Sequence, residues 1–185
     1  DIGRSDLAYT LLLRQEYPSW LYPVTLGATT TFECWDGLKE TADGKISTRG
    51  SLNHYSYGSI SEWMYRYMLG IDLDENNPGY KHIILHPETN ASFSYAKGSY
   101  MSQYGQIASE GKFENGNTVY NITVPANTTA TLTLAKSAKY RILESGINAS
   151  DAEGVVRLEN NGSDAVFELT AGSVTFTVVG NAPGA

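Results

Sequence analysis

The chain has 185 residues, of which 41% are hydrophobic and 18% charged, a length that buries a sizeable core and a balance that argues against a disordered or membrane-spanning protein. Thirteen Lys and Arg against 20 Asp and Glu leave a net charge of -7 and no basic cluster, so nucleic-acid binding is excluded. A single cysteine, Cys34, rules out an internal disulfide framework and any multi-cysteine zinc site. No apolar run approaches the roughly 20 residues of a membrane span, and no membrane partner is expected. The chain opens on Asp1 with no apolar leader-like stretch behind it, and reads as cut from something longer. Thirteen Tyr, 3 Trp and 5 Phe supply flat faces with polar tips, which suit a sugar or an aromatic ligand but also serve a Tyr-rich core.

In chain order, Leu7, Ala8, Leu11 and Leu12 recur at helical spacing, with Ser5 available as N-cap and Asp6 in the first turn. The pattern stops at Tyr17-Pro18. A short apolar segment from Trp20 to Leu26 admits another helix. The stretch from Asp36 to Asn53 has little periodicity and reads as a long loop, functional or disordered. Ile60, Trp63, Met64, Tyr67 and Met68 then form the stripe of a buried helix face, with Arg66 in its last turn and Gly70 as its stop. After Pro78 the period falls to two. Strands are expected at Tyr80–Leu85, Ser92–Met101, Tyr104–Phe113, Tyr120–Val124, Ala130–Leu134, Tyr140–Leu143, Val155–Leu158, Ala165–Leu169 and Val174–Val178. Eight or nine short strands spaced by Gly, Asn and Ser predict an antiparallel β-sandwich over residues 78–185. Residues 1–77 hold helices and a loop that cannot close a core alone.

Signatures of phosphate-binding loops, nucleophile elbows and zinc helices are absent. The run Asp72-Leu73-Asp74-Glu75-Asn76 begins like a calcium loop but has Asn77 where glycine belongs and Ile83 where the last glutamate belongs. His82 and His86 lack a third ligand, so no metal site is assigned. Five Asn-x-Ser/Thr triplets, at Asn90, Asn121, Asn127, Asn148 and Asn161, fall in a half rich enough in Ser and Thr to make them by chance.

Two segments carry chemistry. Glu33 lies among Phe32, Cys34 and Trp35, which want burial, while a carboxylate resists it. Such a residue pairs with a cation, is satisfied by hydrogen bonds, or faces a cleft. In Ser51-Leu52-Asn53-His54-Tyr55-Ser56-Tyr57-Gly58-Ser59, polar and aromatic residues alternate at a helix entrance. They read either as capping by Asn53 or Ser56 beside a buried His54, or as a binding segment.

The order Tyr17-Pro18-Ser19-Trp20, Gly27-Ala28-Thr29-Thr30 with Glu33, Trp35-Asp36-Gly37, then Asn53-His54-Tyr55 with Gly58, resembles the bacterial α-L-rhamnosidases. Gly70-Ile71 and Pro78-Gly79-Tyr80-Lys81 fit the same pattern, and the likeness spans nearly the whole chain. The resemblance implies the C-terminal portion of an inverting glycosidase: residues 1–77 as the end of an (α/α)6-barrel catalytic domain and residues 78–185 as a β-sandwich. It implies Glu33 as the general base, His54 as a sugar contact and Trp35 as a pocket wall or a merely buried ring. It also implies a rhamnose-containing glycoside or polysaccharide as substrate, no cofactor, and an upstream barrel segment as partner. The general acid of such enzymes lies in that upstream segment, so the 185-residue chain alone is expected to be inactive. Three other readings remain open. One is a carbohydrate-binding sandwich with Tyr95, Tyr100 and Tyr104 as its platform, another a sandwich that only caps the barrel. The third is a related (α/α)6 glycosidase for another sugar.

Overall fold

A computed structural model describes residues 3–159 and 162–182, so Asp1 and Asn161 lie outside the described residues. The chain divides into two compact units, Asp1–Trp63 and Met64–Ala185.

The first unit is mostly irregular. Its helix α1, Ser5–Leu13, is entered through Arg4, whose carbonyl accepts the Leu7 and Ala8 N–H groups. Ser5, expected as the cap, is therefore the first helical residue, and Asp6 stands in the first turn as anticipated. The buried positions are Tyr9 and Leu12, whereas Leu7 and Leu11 stay exposed. Tyr9 decides the orientation, because its ring meets the Trp63 ring edge-on at 5.1 Å. The segment near Trp20 is helical, as α2, Leu21–Thr25, with Ser19 Oγ accepting the Tyr22 N–H. The expected long loop contains a small antiparallel hairpin, β1 (Leu38–Glu40) against β2 (Ile46–Thr48). Its strands are three residues each and almost wholly exposed, so they leave no apolar alternation to read. A 3-10 turn, Tyr57–Ser59, leads into α3, Ile60–Trp63.

The second unit starts with a π-helical turn, Met64–Met68, closed by the Leu69 N–H to the Met64 carbonyl. The stripe expected to be buried from Ile60 to Met68 is half-buried throughout, and the change from α to π winding breaks its 3.6-residue period. Gly70 then turns the chain with φ +68° against the backbone of His86 and Pro87. Arg66 reaches forward to Asp72 at 3.0 Å.

Eleven strands follow in two sheets among the described residues. One sheet contains β3 (Ile71–Leu73), β4 (His82–Leu85), β8 (Thr129–Leu134), β11 (Val155–Leu158) and β12 (Ala165–Leu169), in the order β11-β12-β8-β4-β3. The other holds β5 (Tyr95–Ser102), β6 (Gly105–Glu114), β7 (Asn117–Val124), β9 (Ile142–Glu144), β10 (Ile147–Asn148) and β13 (Gly172–Val178), in the order β10-β9-β13-β7-β6-β5. In the second unit strand pairing therefore begins at Ile71, ahead of the change in period seen at Pro78. Three residues are too few to display alternation.

The expected antiparallel sandwich needs one correction: β4 and β8 run parallel, with His82 opposite Thr129 and Leu85 opposite Leu132. Between them the chain crosses to the other sheet for β5, β6 and β7 and returns. A crossover of that length permits parallel neighbours, where a hairpin would not. The core fills from the alternating positions, with Ile83, Leu85, Leu132, Leu134, Phe167 and Phe176 fully buried. The Phe167 and Phe176 rings, from opposite sheets, meet at 5.0 Å.

Candidate active site

Glu33 and His54 lie 21 residues apart in sequence, and backbone pairing brings their segments side by side. The Glu33 N–H donates to the Ser51 carbonyl at 3.0 Å and the His54 N–H to the Thr31 carbonyl at 2.9 Å. The Thr31 hydroxyl donates to the His54 carbonyl at 2.9 Å, and the Thr30 hydroxyl to the Leu52 carbonyl. The run of threonines before Glu33 thus laces the two segments together. It uses hydroxyl donors where the irregular backbone offers too few of its own.

The Glu33 side chain is exposed, and its Oε2 accepts the Ser51 N–H at 3.0 Å. The preceding Gly50 has φ +66°, and a Cβ there would stand 3.1 Å from that same oxygen. A side chain at position 50 would meet both backbone strain and the carboxylate. Of the three ways a glutamate can sit beside core aromatics, this one is hydrogen-bonded and open to solvent. Its neighbour Phe32 is buried in its place.

Trp35 stacks on Tyr57 at 3.7 Å, with 16° between the planes, and meets Trp20 edge-on at 5.2 Å. Trp20 Nε1 donates to the Tyr57 carbonyl at 2.9 Å, which closes a three-ring cluster. Next to it Arg49 bonds Asp36 at 3.1 Å, a contact that raises the guanidinium above its ordinary value. The His54 ring is half-buried beside Tyr55 at 4.9 Å, and its Nδ1 accepts the Ser56 N–H at 3.1 Å. Neither Asn53 nor Ser56 caps through its side chain. Ser56 precedes the 3-10 turn without a side-chain cap bond, and Asn53 is held by the Ser51 hydroxyl.

The three residues singled out from sequence thus lie on two paired segments, 30–37 and 49–57. Unread in the sequence were Gly50 and Ser51, which act through backbone conformation or an N–H group, and Tyr57, whose signal was only its place among alternating aromatics; Ser56 was read only as a cap and acts through its N–H. The other features read from sequence are engaged elsewhere. Both His82 ring nitrogens lie within 2.9 Å of Thr129 and Thr131 hydroxyls, and Asp74 bonds Asn76 and Asn77. Among the described residues no group of three or more His, Cys, Asp and Glu is placed to hold a metal. Tyr95, Tyr100 and Tyr104 do not share a platform. Tyr95 and Tyr100, five apart on β5, point to opposite faces; Tyr100 packs on Tyr80, and Lys81 lies over Tyr104.

A short helical unit with an exposed, anchored carboxylate beside an aromatic cluster, joined in sequence to a two-sheet β unit, suits a carbohydrate-active protein. Residues 1–68 match the family described as bacterial alpha-L-rhamnosidase 6 hairpin glycosidase domain, and residues 70–147 match the bacterial alpha-L-rhamnosidase C-terminal domain. An alpha-L-rhamnosidase of Streptomyces avermitilis is 32% identical over 178 residues, which are 96% of this chain and 16% of that protein. One from Formosa agariphila is 38% identical over 130 residues, covering 70% of this chain and 14% of its own length. The crystal structure of the Streptomyces avermitilis enzyme complexed with L-rhamnose superposes with a TM-score of 0.79 over 95% of the chain. An alpha-L-rhamnosidase structure from Dictyoglomus thermophilum, 24% identical over 96% of the chain with a TM-score of 0.78, shares the fold. The chain belongs to the bacterial α-L-rhamnosidases, and it spans about one-sixth of the length of the relatives it matches.

Proposed function

We propose that this chain supplies the general base of an inverting glycoside hydrolase that releases terminal α-L-rhamnose from glycosides or polysaccharides. The observation that carries this reading is Glu33: an exposed carboxylate with one oxygen fixed by the Ser51 N–H, inside the segment matched to the glycosidase domain. Oε1 is left to take a proton from water. Inversion needs a second carboxyl roughly 6.5–9.5 Å away to protonate the leaving oxygen. We place that acid, and the remaining barrel helices, in a part of the enzyme upstream of these residues. In this reading the helical segment up to about residue 77 is the end of an (α/α)6 barrel, and residues 78–185 belong to the sandwich that follows it. His54 lies one backbone pairing away from Glu33 and contacts the sugar, and the Trp35–Tyr57 stack forms an aromatic wall.

The test is hydrolysis of an aryl α-L-rhamnoside by the full-length enzyme carrying Glu33→Gln, with the isolated 185-residue chain as a control. A folded variant should lose roughly a hundredfold or more in kcat, within the range for a general base, and the isolated chain should show no turnover. Wild-type activity in Glu33→Gln would make Glu33 a structural acid. Glycosidase-like turnover by the chain alone would place a general acid within it.

A further inference from the structure

We infer that the Ser56 backbone N–H holds His54 in its Nε2–H tautomer, so that His54 offers a ligand a hydrogen-bond donor and not a base. The inference rests on the reading of His54 as a sugar contact, and it specifies what that contact does. A neutral imidazole has one N–H and one bare nitrogen, and the partner of one nitrogen decides the state of the other. Here Nδ1 lies 3.1 Å from the Ser56 nitrogen, and a backbone amide can only donate. Nδ1 must therefore be the bare nitrogen, and the proton resides on Nε2.

Two further bonds hold the backbone that carries the ring. The His54 N–H is tied to the Thr31 carbonyl and the His54 carbonyl to the Thr31 hydroxyl, so its backbone is clamped from both sides. Ser56 has φ -50° and ψ -56° and opens the 3-10 turn Tyr57–Ser59, which points its N–H back toward the ring two residues earlier. The consequence is a division of labour between neighbouring segments. Glu33, with Oε1 free, accepts a proton, while His54 donates from Nε2 to an acceptor such as a sugar hydroxyl or ring oxygen. Ser56 is a positioning residue in this scheme, since it acts only through the imidazole. A site with one acceptor and one fixed donor discriminates: an analogue that lacks the oxygen facing Nε2 leaves that N–H unpaired.

The decisive measurement is nitrogen-15 NMR of the full-length enzyme labelled at histidine, at a pH where the rings are neutral, with His54 assigned through His54→Gln. The expected spectrum has Nε2 protonated and Nδ1 bare. Ser56→Ala, which keeps the backbone N–H, should retain that pattern. Ser56→Pro, whose ring suits the observed φ and removes the donor, should release the ring into a mixture of tautomers. A wild-type Nδ1–H form or an even mixture would overturn the inference, and so would a folded Ser56→Pro chain with its tautomer unchanged. In the full-length enzyme acting on an aryl α-L-rhamnoside, His54→Gln keeps a donor near the Nε2 position and should exceed His54→Leu in kcat/KM by about fivefold or more, the worth of one hydrogen bond. Equal losses in the two variants would refute the donor role. These readouts are separate from that of Glu33→Gln, so an active Glu33→Gln enzyme would remove the base assignment while the histidine spectrum still decides the tautomer.

Discussion

Gly70 gives the sharpest energetic expectation. It joins the π-helical turn to β3 with φ +68°, and a Cβ built there falls 2.1 Å from the His86 carbonyl carbon and the Pro87 nitrogen. Ordinary van der Waals contact for a Cβ begins near 3.4 Å, so Gly70→Ala must drive two backbone segments apart by more than an ångström. The neighbouring His86 N–H donates to the Gly70 carbonyl at 2.8 Å, and the movement would break that bond. Gly180 is a natural control, since its φ is +70° but nothing lies within 4 Å of its Cβ position. Gly180→Ala should cost about 1 kcal/mol, the left-handed backbone penalty alone. Gly70→Ala adds steric strain of about 1–3 kcal/mol and should cost about 2–4 kcal/mol in all. Urea unfolding of the 185-residue chain, followed by far-UV circular dichroism, would show this as a midpoint lower by about 1–2 M for a slope of about 2 kcal/mol/M. If Gly70→Ala and Gly180→Ala destabilised the chain equally, the backbone collision would be irrelevant and the reasoning wrong.

Two more expectations concern the β unit. The Ser109 hydroxyl is buried and donates to the Leu69 carbonyl at 2.6 Å, so Ser109→Ala strands a buried acceptor and should cost about 1–3 kcal/mol in the same urea assay. A loss below 0.5 kcal/mol, by order of magnitude that of an exposed substitution, would mean the carbonyl finds another partner. The Tyr120 phenol is raised above its usual value near 10, chiefly by burial and against a weaker opposing hydrogen bond from Thr89. A raised folded value means that the phenol's contribution is intact below pH 10 and is lost as pH climbs through the higher folded value. Alkaline titration should show Tyr120 ionising late or only with unfolding, and Tyr120→Phe should flatten the decline of stability above pH 10. An identical decline in Tyr120→Phe would assign the loss to other groups.

Much of the β unit was legible because alternation is a local property. Where a strand hides one face, every second residue is apolar, and Ala165–Leu169, with Ala165, Phe167 and Leu169 buried, falls at the limits read from sequence. Shorter pairings were not legible. Ile71–Leu73 and Ile147–Asn148 hold too few residues to show a period, and the hairpin Leu38–Glu40 with Ile46–Thr48 buries no face at all. Helix α1 shows the opposite failure: Leu7 and Leu11 have the right spacing, but the aromatic contact of Tyr9 with Trp63 chose the neighbouring face.

The site divides along the same line. The sequence drew attention to Glu33 and His54, because an acid among aromatics and a polar run at a helix entrance are unusual neighbours, while their roles, and Trp35 altogether, came from the resemblance to the rhamnosidases. It also determined the alternating strands and the glycine stop after the helix. Tertiary structure decided that the threonine run pairs with residues 51–54, and that β4 and β8 lie parallel. It decided too that Gly70 abuts Pro87, and that Oε2 of Glu33 and Nδ1 of His54 are the occupied atoms. These features are backbone hydrogen bonds and close approaches between residues far apart in the chain. A backbone N–H is the same in every residue but proline, so nothing in the order of side chains announces where it will point.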